Sequence, residues 1–438
     1  MTTEALYDIY LKHPSVQTDT RLLKKGDIFF ALKGPNFNGN LFAVKALDAG
    51  AAYCVIDESP DTPDERLILV QDVLDSLQQL AGYHRRQFRD VPFIAITGSN
   101  GKTTTKELVN AVLSSYYRVS TTKGNLNNHI GIPLTLLAVP RDAEMAVIEM
   151  GANHLREIEG YCRYTQPTHG IITNCGKAHL EGFGSEEGVR KGKGELFDFL
   201  RTVENGTAFI FSDYPYLADM SRGISRVIRY GTRAGEVTGT VSGNEPFLEI
   251  SMHGGVPFSS LHTQLVGEYN LPNVLCAICI GMHFGVPAEK IREAIEGYRP
   301  SNSRSQLVNW GSNEVILDAY NANPSSMKAA IENFAGLREE NKVLILGSMM
   351  ELGPSSAAEH AELVHLISRY HWKQVVLVGE GFSAVAAPYL YFNTSAEAAE
   401  WFRQQHFDGA HILIKGSRSM KMEKLLPDLI TNDVGQTE

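Results

Sequence analysis

Apolar residues fall along this chain in short continuous runs separated by stretches of helical spacing, the pattern of strands buried on both faces and joined by crossover helices. VPFIAI (Val91 to Ile96), AVIEM (Ala146 to Met150), HGIITN (His169 to Asn174) and TAFIF (Thr207 to Phe211) are such runs. They predict a mostly parallel sheet. Residues 228–266 alternate instead and are broken by turns, which predicts an antiparallel flap. Upstream, DIFFAL, AAYCVID and LILV, with the helical stretch FAVKALDAGA between the first two, predict a small α/β unit. It is followed by a helix over Asp72–Phe88. Downstream of the polar, turn-rich PSNSRS (Pro300 to Ser305), four runs (VILDAY, KVLILG, QVVLVG and HILIKG) alternate with helices, and three of them end on glycine. This predicts a Rossmann-like unit with its ligand edge at the strand carboxyl ends. The expected organisation is α/β throughout in three domains, at 1–90, 91–300 and 301–438.

Bulk composition agrees with this division. The 438 residues suffice for about three domains of ~100–200 residues. A hydrophobic content of 43% and a charged content of 21% fit a globular chain. No apolar run reaches a membrane span, and MTTEALYDIYLKHPS shows no export signal, so a cytoplasmic location is expected. Five cysteines argue against a disulfide framework, and Cys276 and Cys279 read as core residues of an apolar helix. A net charge of −10 leaves no footprint for nucleic acid. Any anionic ligand must be met by local loops and single basic residues.

ITGSNGKTTTKE (Ile96 to Glu107) supplies such a loop. It follows an apolar strand and opens a helix, the order a phosphate-binding loop requires. Gly98 and Gly101 would let backbone N–H groups approach phosphate oxygens, with Ser99 and Asn100 between them in the same ATP-binding loop. Lys102 would reach the β/γ-phosphates, and Thr103, beside Thr104, would hold Mg²⁺. A full Walker A pattern has glycine where this chain has Ile96, so the loop is a tighter variant. Glu149, ending AVIEM, is a candidate Mg²⁺ ligand or a strand-end carboxylate facing solvent. His179 taken alone reads more readily as a packed loop histidine than as a metal ligand.

Three further segments carry more polar groups than local structure requires. TKGNLNNHIGIPLTLL places Asn125, Asn127 and Asn128 before a helix, although capping needs only one. GEYNLPNVLCA puts Asn270 and Asn273 one turn apart, where amides could read a purine edge. The stretch from Ser303 to Met327 delivers Arg304, suited to phosphate, and Asp318, suited to ribose hydroxyls or a metal-bound water.

With these motifs the chain resembles the Mur ligases, ATP-dependent amide-forming enzymes of cell-wall synthesis, over almost its whole length. TGSNGKTTTKE, GNLNNHIGIPLTLL, AHLEGFGS, KGKGELF, YNANP, LGSMMELG and LIKGSRSMKME carry the resemblance. It lies closest to the branch that adds D-alanyl-D-alanine to UDP-N-acetylmuramoyl-tripeptide. The family positions fall on Lys102, Glu149, His179, Asn270, Asn273, Arg304 and Asp318. The resemblance implies UDP contacts from Asp19, Thr20, Arg21, Lys33 and Gly34, with Asn125 and Asn128 on the same substrate. It implies ATP and Mg²⁺, the latter held by Thr103, Glu149, His179 and Lys193. Lys193 matches a lysine that the family carries as a carbamate; the alternative is an unmodified exposed lysine. Tyr320, Asn321, Lys415, Ser417 and Arg418 are expected at the dipeptide, and the chain is expected to be a monomer.

Two departures stand out. NFNGNLF replaces an Asp-Gly-His type segment, and Tyr269 stands where a histidine usually precedes Asn270. The competing branch that adds the third amino acid typically carries Asp-Asn-Pro-Arg in its third domain, a string absent here. A GTP-binding switch would need an Asn-Lys-x-Asp guanine reader, also absent.

Overall fold

A computed structural model describes residues 1–60, 63–300 and 303–426. Ser301 and Asn302 of the expected linker lie outside the described residues, as does the chain beyond 426. The continuous apolar runs form the central strands, and Phe93–Thr97, Met145–Glu149 and Thr207–Phe211 are buried at every position. A nine-stranded sheet contains them in the order Ser260–His262, Leu248–Gly254, Val237–Asn244, Arg226–Gly231, Thr207–Phe211, His169–Ile172, Phe93–Thr97, Met145–Glu149, Val119–Thr121. Phe93–Thr97 therefore lies between Met145–Glu149 and His169–Ile172, parallel to both. The loops leaving these three strands converge at one carboxyl edge, where open α/β sheets bind ligands.

The expected antiparallel flap differs in one respect. Val237–Asn244, Leu248–Gly254 and Ser260–His262 do pair antiparallel. Arg226–Gly231, however, runs parallel to Thr207–Phe211, and Val237–Asn244 pairs parallel to it. The hairpin thus continues the main sheet, because Arg226–Gly231 otherwise leaves an open edge of unpaired backbone groups.

The amino-terminal unit is a four-stranded parallel sheet in the order Val16–Gln17, Ile28–Phe30, Tyr53–Ile56, Leu67–Leu69. Val16–Gln17 is too short to show any periodicity. The expected helix over FAVKALDAGA is shorter, Ala43–Asp48, and the chain turns at Gly50, whose φ of 107° suits glycine. Helix Val73–Arg85 joins this sheet to the nine-stranded one, with a single apolar core from Leu6 and Ile28 through Leu77 and Leu80 to Phe93 and Ile132.

Two polar side chains at its end fasten the joint. His84 accepts from the Tyr7 hydroxyl at Nδ1 (3.0 Å) and donates from Nε2 to the Val139 carbonyl (3.0 Å). Arg85 donates to the carbonyls of Thr165, Phe88 and Gln166 and stacks on Phe93, while burial pulls its pKa down to about 10. His84→Phe keeps a ring but leaves the Tyr7 hydroxyl and the Val139 carbonyl unpaired. We expect a loss of about 2 kcal/mol in denaturant unfolding; an unchanged midpoint would show that the joint does not depend on these bonds.

The carboxyl-terminal unit is a six-stranded sheet ordered Gln306–Trp310, Asn313–Asp318, His411–Lys415, Lys342–Gly347, Gln374–Val378, Leu390–Phe392, parallel except for the first strand. Separate apolar cores cover its two faces, as in a Rossmann-like layer arrangement. The glycines ending two of the runs serve close packing. A Cβ on Gly416 would lie 2.6 Å from Met422 Cγ and 3.1 Å from the Gly347 Cα. All five cysteines are free and buried, Cys276 and Cys279 within helix Leu271–His283. Among the described residues no helix is long and apolar enough to cross a membrane.

Candidate active site

A cleft of about 760 Å³ opens at the carboxyl edge of the nine-stranded sheet and is closed on its far side by the six-stranded unit. Its floor is the loop Gly98–Gly101. Gly98 and Gly101 have φ values of 142° and 79°, and a Cβ would fall 2.0 Å from Thr173 Oγ1 at the first and 2.7 Å from Asn273 Oδ1 at the second. Only glycine fits either place. The loop is braced from behind: Ser99 N–H donates to the Asn174 carbonyl, Asn100 N–H to Asn174 Oδ1, and Thr173 Oγ1 to the Asn100 carbonyl. Helix Lys102–Ser114 then starts from Gly101 without a side-chain cap. Its first-turn N–H groups have no intrahelical partner and lie ready for an anion.

Lys102 folds over this loop, donating to the carbonyls of Gly98 (2.8 Å) and Ser99 (3.1 Å). Burial lowers its pKa, the attraction of Glu149 opposes that shift, and the Arg304 charge adds to it. Thr103 Oγ1 donates to Glu149 at 2.9 Å, and Asn127 Nδ2 donates to the same carboxylate at 2.8 Å. Glu149 is 1% exposed, which removes the reading of a solvent-facing carboxylate. A carboxylate and a hydroxyl side by side on the wall of a phosphate loop fit Mg²⁺, which takes few protein oxygens and keeps its remaining positions for water and phosphate.

His179 lines the same cleft, but its Nδ1 is hydrogen-bonded to Glu351 of the six-stranded unit. Lys193 is fully buried, donates to the Ala152 carbonyl at 2.8 Å and lies 5.0 Å from the Phe183 ring centroid, so it is not an exposed surface lysine. Burial, then the Lys102 charge, brings its pKa down to about 7. Among the described residues, no three His, Cys, Asp or Glu side chains gather tightly enough to hold a metal by themselves.

The Asn270 and Asn273 amides are engaged with each other and with their surroundings. Asn273 donates to Asn270 Oδ1 and accepts from Thr105, and Asn270 donates to the Val266 carbonyl. They fasten the phosphate-loop helix to helix Leu271–His283 at the cleft wall. Tyr269, in the place of histidine, reaches Ser305 Oγ at 2.9 Å. From the six-stranded unit, Arg304 lies with its guanidinium carbon 3.5 Å from the Tyr320 ring centroid, and Lys415 bonds Asp318 at 2.6 Å and the Asn321 carbonyl at 3.2 Å. All five line the cleft. Ser417 is buried against the Ser348 carbonyl, and Arg418 is paired with Glu423, 5.6 Å from the Tyr320 ring centroid.

The substrate residues expected in the amino-terminal unit form a separate cluster. Arg21 makes a two-pronged bond to Asp19 and holds that carboxyl at about 2. Lys33 pairs with Asp57 and Glu58 beside Asn38 and Asn40, while Gly34 is exposed and Thr20 partly so. None of Asp19, Thr20, Arg21, Lys33 and Gly34 is a lining residue of the cleft. Asn128 lines it and caps helix Gly131–Leu137 through the Ile130 and Gly131 N–H groups; Asn125 is exposed outside it.

Three contributors were not singled out from sequence: Asn174 behind the loop, Asn323, which donates to Asn100 Oδ1 at 2.8 Å, and Glu351; Asn127, grouped from sequence with Asn125 and Asn128, meets Glu149. Asn127 and Asn323 sit inside motifs that the reading did isolate. Nothing in the chain ties Glu351 to a histidine 172 positions earlier.

Comparison with known proteins identifies the family. Residues 96–281 match the Mur ligase middle domain, and residues 303–418 match the glutamate ligase domain of Mur ligases. A Bacillus subtilis protein named UDP-N-acetylmuramoyl-tripeptide--D-alanyl-D-alanine ligase is 35% identical, covering 95% of this chain and 93% of its own. The crystal structure of MurF from Acinetobacter baumannii superposes with a TM-score of 0.86 at 31% identity, over 95% of this chain and 93% of that one. The Thermotoga maritima MurF ligase, solved in complex with ADP, shares the fold at a TM-score of 0.85 and 24% identity, over 98% and 99% of the two chains. The chain belongs to the Mur ligase family.

Proposed function

We propose that this protein is the ATP-dependent ligase that joins D-alanyl-D-alanine to UDP-N-acetylmuramoyl-tripeptide in peptidoglycan precursor synthesis, acting as a cytoplasmic monomer. The observation that carries the reading is the meeting of Lys102, Glu149, Arg304 and Asp318, from two sheets, around one cleft. The division of labour follows the sheets: residues 1–90 for the UDP end, 91–300 for ATP, and 301–438 for the incoming dipeptide.

The peptide carboxylate attacks the γ-phosphate of ATP, giving an acyl phosphate and ADP. The dipeptide amine then attacks the acyl carbon, and phosphate leaves from the tetrahedral intermediate. Both reactants of the first step are anions, so the chain's main task is to neutralise and align them. With the Ser99 and Asn100 N–H groups engaged by Asn174, the N–H groups from Gly101 into the first turn at Lys102 cradle the phosphates, and the Lys102 ammonium turns from the loop carbonyls to the β/γ-oxygens. Arg304, braced on Tyr320, faces the same oxygens from the opposite wall. Glu149 and Thr103 would hold Mg²⁺, which would supply positive charge to offset that of the phosphates. Asp318 holds Lys415 in the cleft wall, where Tyr320 and Asn321 also face the dipeptide. Enclosure between the two sheets keeps water from the hydrolysable acyl phosphate.

The test is phosphate release from ATP with UDP-muramoyl tripeptides ending in diaminopimelate or in lysine, with and without D-Ala-D-Ala. Release is expected only when nucleotide-peptide and dipeptide are both present. Release independent of the dipeptide would reject the assignment.

A further inference from the structure

The contact between His179 and Glu351 joins the nine-stranded and six-stranded units directly at the cleft. Both residues are strained: His179 has φ 51° and Glu351 φ 61°, left-handed conformations that side-chain-bearing residues seldom adopt. Such outliers persist where the surroundings over-determine them, commonly at working sites. Here they face each other. The Glu351 carboxylate bonds His179 Nδ1, and the Glu351 carbonyl accepts from the Glu181 N–H at 3.1 Å.

The segment bearing Glu351 is held rigidly from its own side. Met349 N–H donates to Nε2 of the fully buried His360 (3.1 Å), whose Nδ1 is tied to the Ser356 carbonyl (2.7 Å). Ser348 Oγ accepts from Gly381 N–H, and the Ser348 carbonyl accepts from Ser417 Oγ. Ser417 thereby acts as a brace of this segment. The result is a stiff arm reaching from one unit to a single imidazole of the other.

A carboxylate only accepts, so Nδ1 must carry a proton, and in the neutral ring Nε2 is left with a lone pair. Among the described residues Nε2 has no partner, and the ring lines the cleft. A carboxylate that fixes the tautomer and orientation of a ligating histidine is a recurrent arrangement behind metal and phosphate centres.

We propose that Glu351 is a positioning residue that sets the tautomer and aim of His179 only when the six-stranded unit is closed on the nine-stranded one, so that the reaction centre is completed by closure. This rests on the ligase reading of the cleft for its consequence in turnover, but not for the His179–Glu351 pairing itself. Full-length protein labelled at histidine with ¹⁵N, free of nucleotide and metal, provides the test through long-range ¹H–¹⁵N spectra. Wild type is expected to show His179 protonated at Nδ1, and Glu351→Ala to lose that preference.

Turnover in Glu351→Ala should fall by about 10–100-fold in kcat, with a far smaller change in KM for ATP. Glu351→Gln retains an oxygen acceptor and should recover part of the rate. Asn333→Ala serves as the control for losing a hydrogen bond between the same two units at a place remote from His179, because Asn333 bonds Asn244 and the Glu268 N–H while the Glu351 contact stays in place. It should leave the His179 spectrum as in wild type. An unchanged His179 pattern in Glu351→Ala, or equal losses in Glu351→Ala and Asn333→Ala, would overturn the proposal. A protein that does not ligate D-Ala-D-Ala would leave the spectral result untouched, so the two failures are separable.

Discussion

Lys102→Met is expected to lower kcat for ligation by at least ~10³-fold while leaving the thermal unfolding midpoint unchanged or higher. The first half follows from charge. Attack of a carboxylate on ATP brings two anions together, and Lys102 is the cation that the phosphate loop itself provides. Arg304 and any metal that Glu149 would hold remain in the variant, but Lys102 is the cation seated on the loop itself, bonded to its carbonyls at 2.8 and 3.1 Å.

The second half follows from the sign of the pKa shift. Burial lowers the Lys102 pKa and the Arg304 charge lowers it further, against the pull of Glu149. A lysine with a depressed pKa in the folded state is one whose charge opposes folding. That penalty is complete below the folded pKa and disappears above the unfolded one. Methionine keeps the stem and removes the charge, so stability is not expected to fall. Rates of phosphate release and a calorimetric scan of the same variant check both halves. Substantial turnover would remove Lys102 from the reaction, and a large drop in midpoint would show that its loss of activity reflects unfolding.

The fold was legible wherever strands are buried on both faces. Runs such as Phe93–Thr97 and Lys342–Gly347 announce themselves by continuous apolar residues between glycine and helix starts. Three edge strands were not: Val16–Gln17, Val119–Thr121 and Leu390–Phe392 are only partly buried and two or three residues long, so they carry no period to read. Gln306–Trp310 was hidden for a related reason, since its residues are partly buried or exposed along its length.

The site divides in the same way. The phosphate loop is a contiguous string whose glycines, lysine and threonine act within one turn, and it could be read from residue types alone. Glu149 became unambiguous only when its burial and its Thr103 and Asn127 partners were known. The His179–Glu351 pair depends on how two sheets dock, and no local pattern records docking. The three asparagines after the loop fall between these cases. Their excess over capping was visible; which one caps (Asn128) and which one meets the carboxylate (Asn127) was not.

Lys193→Arg is expected to lower ligation by roughly 10²–10³-fold and to destabilise the fold, because Lys193 is buried completely yet has no acidic partner in hydrogen-bond reach among the described residues. Its pKa of about 7, against an ordinary 10.5, leaves about half the amine neutral at pH 7 where an exposed lysine would have fewer than about one in a thousand. A neutral amine can add CO₂: the C–N bond forms, one proton leaves and a carbamate anion results, so that starting from the ammonium two protons leave in all. The change also removes a repulsion, since Lys102 is the charge that most depresses Lys193 after burial.

An arginine stays protonated, cannot take CO₂ and remains an unpaired buried cation. In CO₂-free buffer the penalty of the Lys193 ammonium is full below about pH 7 and fades toward 10.5, so wild-type stability should rise across that window. Lys193→Met should lack the rise. With ¹³C-labelled bicarbonate, wild type should show a carbamate carbonyl signal that is absent from Lys193→Arg. No such signal, together with full turnover after CO₂ removal, would mean that Lys193 serves as a neutral buried amine bonded to the Ala152 carbonyl and that the centre takes no anion from it.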